Sequence, residues 1–100
     1  MATYSASQAK YITLVANTVD TVTLTGTGST LRVITTNGTA HAYFTAGSVN
    51  ATVANPTVGG DNTYPAVHGN PGYIDIPWTG NSVVVKVISS GTPTVGFILI

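Results

Sequence analysis

The stretch that decides the fold runs from Leu31 to Phe44 and reads Leu-Arg-Val-Ile-Thr-Thr-Asn-Gly-Thr-Ala-His-Ala-Tyr-Phe. Apolar and polar residues alternate on both sides of Asn37-Gly38, as they do in strands whose successive side chains point to opposite faces of a sheet. Asn-Gly favours a two-residue hairpin turn, because both residues tolerate a positive φ. The stretch therefore predicts strands near residues 30–36 and 39–45, paired as a hairpin.

The predicted hairpin has one apolar and one mixed face. With the turn at Asn37-Gly38, the register places Arg32 opposite Tyr43, which predicts a cation–π contact worth about 0.5–1 kcal/mol if exposed. The face predicted to join the core carries Leu31, Val33, Ala42 and Phe44. The face predicted to be exposed carries Arg32, Ile34, His41 and Tyr43.

Composition extends this interpretation to the whole chain. Its 100 residues fit one domain and include 18 Thr, 13 Val and 7 Ile, whose branched side chains suit a pleated sheet. No stretch shows a capped 3.6-residue period, so little or no helix is expected. Further strands are predicted near residues 9–16, 19–25, 49–54, 73–78, 82–89 and 94–100. We predict an all-β fold, a single-domain antiparallel β-sandwich of seven or eight short strands (residues 9–100), preceded by an N-terminal arm (residues 1–8).

A second turn signal, Asn70-Pro71-Gly72-Tyr73, starts the strand near residues 73–78. Alternation there places Tyr73 and Asp75 outward and Ile74, Ile76 and Trp78 in the core. Pro77 lacks an N–H for the ladder, so this strand is predicted to lie at a sheet edge.

The last two strands are apolar on both faces. Residues 83–88 are apolar except for Lys86, and the chain ends with the apolar run 97–100. Such runs are typical of strands covered on both faces, so a loop or another subunit must cover the second face. The candidate subunit-interface residues are Val84, Ile88, Ile98 and Ile100. The N-terminal segment adds candidate contacts to another protein or to a neighbouring subunit at Ala2, Thr3, Tyr4 and Lys10.

Charge excludes several classes of protein. The six charged residues are Lys10, Asp20, Arg32, Asp61, Asp75 and Lys86, and the formal net charge is zero. A nucleic-acid binder needs a basic stripe, and a membrane span needs about 20 apolar residues, so neither partner is expected. Near-zero net charge favours association, which predicts a homo-oligomer.

Catalytic and metal sites are not expected. His41 and His68 are 27 residues apart, there is no Cys or Glu, and no Gly-x-Ser-x-Gly motif occurs. Asp20, Asp61 and Asp75 are predicted on turns or exposed strand faces. We therefore expect no enzyme activity, no metal and no cofactor.

Glycan binding is the alternative function, because exposed aromatic side chains can serve as platforms for sugars. Alternation places Trp78 inward, and the long segment 55–70 carries Tyr64. Tyr64 is thus the possible platform if the chain binds a glycan.

The chain resembles a family of small all-β virion proteins. The resemblance lies within residues 19–100 and is carried by Thr-Val-Thr-Leu (21–24), Leu-Arg-Val-Ile-Thr-Thr-Asn-Gly-Thr-Ala (31–40), Ala-Tyr-Phe-Thr (42–45), Pro-Thr-Val-Gly-Gly-Asp-Asn-Thr-Tyr (56–64) and Val-Val-Val-Lys-Val-Ile-Ser-Ser-Gly-Thr-Pro (83–93). These segments are similar to capsid decoration (head auxiliary) proteins of tailed bacteriophages of actinobacterial hosts. Where the family has Asp-Gly, this chain has Ala46-Gly47, so no role of that acid is carried over.

The resemblance implies a structural virion protein on the outer surface of a phage head, bound to the major capsid protein and stabilising the shell. It further implies a homo-oligomer at symmetry-related sites, with a trimer favoured, no catalytic residue, and contact of the N-terminal segment with the capsid. The alternative is a tail or fibre module of a virion that binds a host-surface glycan.

Overall fold

The computed structural model describes residues 2–37, 41–48, 53–58, 64–66, 72–80 and 82–100, and at residues 36, 37, 64–66 and 80 it describes the backbone alone. These residues form nine strands and no helix. The strands are β1 (Thr3–Ala6), β2 (Ala9–Thr13), β3 (Asp20–Leu24), β4 (Gly28–Asn37), β5 (Ala42–Gly47), β6 (Tyr64–Ala66), β7 (Gly72–Gly80), β8 (Val83–Ser89) and β9 (Thr94–Leu99).

The strands build two sheets with the core between them. Sheet I has the order β1-β3-β8-β5-β6, and sheet II has the order β2-β9-β4-β7. The predicted all-β sandwich is confirmed, with one parallel pair, β1 with β3, among otherwise antiparallel pairs in the described residues. Strands β1 and β6 were not predicted, and most of the strand predicted at 49–54 lies outside the described residues.

The predicted hairpin of β4 with β5 is wrong. Strand β4 lies between β9 and β7 in sheet II, whereas β5 lies between β8 and β6 in sheet I. The chain therefore crosses from one sheet to the other after Asn37, and residues 38–40 of the predicted turn lie outside the described residues. Alternation fixes which side chains are buried but not which strand is the partner.

The buried face of these two strands is nonetheless the predicted one. Leu31 and Val33 of β4 and Ala42 and Phe44 of β5 are fully buried. They belong to one core cluster that both sheets share. The two strands therefore contribute to the same core from opposite layers.

The N-terminal arm predicted at residues 1–8 is part of the sandwich. Strand β1 pairs with β3 of the same chain, and β2 pairs with β9. The Ala2 amide donates a 2.9 Å hydrogen bond to Oδ1 of Asp20, whose side chain is buried at 2% exposure. This corrects the expectation that Asp20 lies on a turn or an exposed face, since its carboxylate accepts a backbone hydrogen bond at the strand edge.

The side chain of Gln8 holds the corner between β1 and β2. Its Nε2 donates to the carbonyls of Thr27 at 3.1 Å and Leu99 at 2.8 Å, while its Oε1 accepts from the Thr27 amide at 3.0 Å. A Cβ at Gly26 would collide with this amide group. Gln8 thus joins the β3–β4 connection to the end of β9.

The last two strands occupy the middle of the sandwich. Strand β8 lies between β3 and β5, and β9 lies between β2 and β4. Each therefore has a hydrogen-bonded neighbour on both sides, and the inward side chains of both strands lie in the core. Fully buried are Val83, Val85, Val87, Val95, Phe97 and Leu99.

Strand β7 forms the edge of sheet II, as Pro77 predicted. Ile74, Ile76 and Trp78 pack against the core, while Tyr73 is 56% exposed. Trp78 donates from its indole nitrogen to the Ser82 carbonyl at 3.2 Å. The predicted faces of this strand are confirmed, whereas Asn70 and Pro71 of the predicted turn lie outside the described residues.

Candidate functional site

The predicted interface residues do not form one surface. Val84 and Ile88 lie on the outer face of sheet I, and so do Tyr43 and His41 at one end of that face. Ile98 and Ile100 lie on the outer face of sheet II with Arg32 and Ile34. The proposed exposed hairpin face is therefore wrong, because its four residues are divided between opposite sides of the molecule.

The predicted N-terminal contact residues lie at the edge where the two sheets meet. Tyr4 of β1 packs partly against the core, and the Lys10 Nζ of β2 lies 5.6 Å from the centroid of its ring. Thr3 is exposed, and Ala2 is half-buried. Tyr4 and Lys10 thus form a cation–π contact within the chain across this edge.

One end of the outer face of sheet I is covered by the chain itself. In the segment 53–58, Val53 and Pro56 are buried. Thr45 donates from its hydroxyl to the Ala54 carbonyl, and Lys86 Nζ donates to Oδ1 of Asn55 at 3.3 Å. The sequence left open whether a loop or another subunit covers this face. At this end of the face, a loop of the same chain covers it.

The same segment reaches the neighbourhood of Val84. Val53 Cγ2 would lie 2.8 Å from a Cβ at Gly47, and Gly47 is the register partner of Val84. At the other end of the face, Tyr43 pairs with Ile88, and the rings of His41 and Tyr43 lie 6.5 Å apart. Tyr43 and Ile88 are half-buried and lie at the end of this face away from Val84.

The outer face of sheet II carries an aromatic row across all four strands. In register order the row runs Tyr11, Gly96, Ile34, Tyr73. The adjacent row runs Ala9, Ile98, Arg32, Asp75. We call the surface made by these two rows the tyrosine face.

Gly96 makes room for the ring of Tyr11. A Cβ at Gly96 would collide with Cε2, Cδ2 and Cζ of that ring, so the ring lies across β9 rather than upright. Tyr11 remains 48% exposed in this position. The Tyr11 ring therefore packs against the sheet and is still accessible to a partner.

Arg32 contacts both Tyr73 and Asp75 on this face. Its guanidinium carbon lies 4.5 Å from the centroid of the Tyr73 ring. Its Nε and Nη2 donate to Oδ1 and Oδ2 of Asp75 at 2.7 and 2.9 Å. Arg32 therefore stacks on Tyr73 and not on Tyr43, which corrects the contact predicted from the hairpin.

The ion pair of Arg32 with Asp75 also sets the charge of this face. Hydrogen bonds from Arg32 lower the pKa of Asp75, and the same bonds raise the pKa of Arg32. Each residue therefore keeps its charge near neutral pH and offsets that of its partner. The tyrosine face has two charged groups and no net charge.

Sequence reasoning missed Tyr11, although a signal for it was present. Ile12 and Leu14 are buried, so alternation along the predicted strand 9–16 places Tyr11 outward. The pairing of Arg32 with Asp75 had no such local signal, because it depends on the register of β4 with β7. Tyr64, the predicted glycan platform, lies in β6, where the structure describes no side chain.

The described part of the chain shows no group of three or more His, Cys, Asp or Glu side chains that could hold a metal ion. Among those residues, no helix is long and apolar enough to cross a membrane.

No protein-family model matches the chain, and no curated protein matches it. Among solved structures, it is similar to the pre-peptidase C-terminal domain of collagenase from Bacillus anthracis. The two chains share 11% sequence identity with a TM-score of 0.58, and the match covers 100% of this chain and 95% of that one. At this identity the likeness shows the fold alone, a compact β domain.

Proposed function

We propose that this protein is a non-enzymatic decoration protein on the outer surface of a tailed-phage head, where it binds the major capsid protein and stabilises the shell. The observation that carries the proposal is the pair of half-buried apolar side chains, Tyr43 and Ile88, on neighbouring strands of the outer face of sheet I. Aromatic and aliphatic groups of this kind form the centre of protein interfaces, where charged residues are depleted. The sequence resemblance to decoration proteins supplies the partner.

The proposal uses one side of the molecule for attachment. Ile88 on sheet I faces the shell or a neighbouring copy, together with Ala2, Thr3, Tyr4 and Lys10 at the N-terminal edge. Val84 lies beside the chain's own segment 53–58 at the other end of the face. Ile98 and Ile100 lie on the opposite face and take no part in that contact. A trimer at symmetry-related positions multiplies the number of contacts, so that each can be weak.

Co-sedimentation with phage heads assembled without this chain tests the attachment. Ile88→Lys places a charge in the proposed contact and is expected to abolish binding to the heads. Ile98→Lys makes the matched change on the opposite face and is expected to leave binding intact. Equal binding by both variants contradicts attachment through sheet I.

Two further measurements test the shell-stabilising role and the oligomer. Heads with the bound chain are expected to withstand a higher temperature before they release their contents, since a ligand that binds only the intact shell stabilises it. Sedimentation equilibrium of the free chain is expected to show a trimer. A monomer that does not bind the heads contradicts the proposed function.

A further inference from the structure

We propose that the tyrosine face is a binding site for a neutral, extended polysaccharide, which stacks its sugar rings on Tyr11 and Tyr73. The inference concerns the side of the molecule opposite to the proposed attachment surface and does not depend on it. It rests on the arrangement of the two exposed rings, on the charge of the face and on its area.

The two tyrosines lie at opposite edges of the tyrosine face. Tyr11 is on edge strand β2, and Tyr73 is on edge strand β7, in the same row. Three steps between neighbouring strands separate their backbones by about 14 Å. Several consecutive units of an extended oligosaccharide span that distance, so one chain can contact both rings.

Both rings are held in place before any ligand binds. Gly96 allows the Tyr11 ring to lie across β9, and the guanidinium of Arg32 stacks on Tyr73. A sugar ring presents C–H groups with a partial positive charge, and these complement the negative face of an aromatic ring. Preorganised rings reduce the entropy that is lost when such a ligand binds.

The ion pair between the two rings suits sugar hydroxyl groups. Arg32 uses two of the five N–H donors of a guanidinium in its contact with Asp75. The remaining donors and the free lone pairs of the carboxylate lie side by side, and both groups are about one-third exposed, at 34% and 37%. A hydroxyl group that donates and accepts can therefore contact both partners at once.

Charge distinguishes a polysaccharide from a nucleic acid. Single-stranded nucleic acids also stack on aromatic rings, but their binding sites combine the rings with a positively charged groove. On the tyrosine face, the single cation is neutralised by Asp75. The binding of an uncharged ligand does not depend on a net positive charge. A phosphate backbone does depend on it and gains no electrostatic attraction from this neutral surface.

Area distinguishes a polysaccharide from a second copy of the chain. Four strands about 4.8 Å apart and two rows of side chains about 7 Å apart give this face an area on the order of 250 Å². A stable protein interface buries about 800 Å² on each partner. The tyrosine face alone is therefore too small for a stable dimer and large enough for an oligosaccharide of several units.

Titration calorimetry with three neutral hexasaccharides (cellohexaose, laminarihexaose and β-1,4-mannohexaose) tests the proposal. At least one is expected to bind, and Tyr11→Ala and Tyr73→Ala are each expected to weaken that binding about tenfold or more. Gly96→Ala keeps both tyrosines but displaces the Tyr11 ring, and the same direction of effect is expected. Glucose, which can cover only one ring, is expected to bind far more weakly than the hexasaccharide.

Tyr43→Ala is the matched control, because it removes a half-exposed tyrosine from the other sheet. This variant is expected to bind the hexasaccharide as the unchanged protein does. The proposal is overturned if none of the three hexasaccharides binds at millimolar concentration, or if a folded Tyr11→Ala variant binds unchanged. Stronger binding of a thymidine 12-mer than of any hexasaccharide also overturns it, in favour of a single-stranded nucleic acid.

Discussion

Two aspartates show how far the surroundings of a residue decide its role. Asp75 lies on an outer face, where alternation along its strand predicted it, and it pairs with Arg32. Asp20 carries the same group but is buried, and it accepts a hydrogen bond from the Ala2 amide. The first position follows from local pattern, while the second depends on a parallel partner strand 18 residues away in sequence, for which the sequence has no local signal.

Removal of the Asp20 carboxylate tests its structural role. Asp20→Ala leaves the Ala2 amide without its acceptor at a buried site, and the expected loss of unfolding free energy is about 1–3 kcal/mol. Asp20→Asn retains an oxygen that can accept the bond, so a smaller loss is expected. Urea denaturation at pH 7 measures both, and equal losses for the two variants would contradict this role.

The ion pair on the tyrosine face predicts a dependence of stability on pH. Because Arg32 lowers the pKa of Asp75 in the folded state, the pair contributes stability above the usual value of 3.8 and loses it as the pH falls through the lower folded-state value. Asp75→Asn removes this contribution. The difference in melting temperature between the two proteins is therefore expected to be constant from pH 5 to 7 and to shrink below pH 3.8. An unchanged difference at pH 2 contradicts the assignment.

At the scale of strands, local pattern predicts faces better than partners. The buried sides of β4, β5 and β7 follow from alternation, as Val33, Phe44 and Ile76 show. The partner of β4 does not, because a turn signal at Asn37-Gly38 is compatible both with a hairpin and with a crossing between sheets. The prediction of the candidate site was affected most by the wrong partner strand, because the contacts of Arg32 depend on which strand pairs with β4.

The corner held by Gln8 allows a test of coupling between two connections. Gln8→Ala removes three hydrogen bonds and is expected to cost about 1–3 kcal/mol. Gly26→Ala is also destabilising, because its Cβ collides with the Gln8 amide and lies 2.6 Å from the Ser7 carbonyl oxygen. The double variant is expected to lose less stability than the sum of the two, since one of the two collisions is gone. Strictly additive losses in urea denaturation argue against the clash.

At the scale of the whole molecule, the last two strands are the centre of both sheets. The apolar residues on both faces of these strands predicted that a loop or a subunit covers them. The structure adds a second reason for their apolar character. A central strand has neighbours on both sides, so β8 and β9 are more enclosed than any edge strand. That position follows from the order of all nine described strands, which no single stretch of sequence reveals.

Deletion of residues 97–100 is expected to abolish the fold. The change removes Phe97 and Leu99 from the core and separates β2 from β4, and one such large core side chain alone is worth about 3–5 kcal/mol. The total stability of a small domain is about 5–15 kcal/mol. Circular dichroism and light scattering are expected to show an unfolded, aggregating chain, while Ile100→Ala, at a position 50% exposed, is expected to fold normally. A soluble truncated chain with a cooperative transition contradicts the central position of β9.

The strand order has a consequence for synthesis on the ribosome. The central strands of both sheets lie between residues 83 and 99, so the earlier strands wait for their middle partners until these residues have been synthesised. Consecutive strands belong to different sheets at every connection except that between β5 and β6, so little of either sheet can be completed early. The domain is therefore expected to fold only once residue 99 has left the ribosome, and its threonine-rich strands with few charges must stay apart from those of neighbouring nascent chains until then.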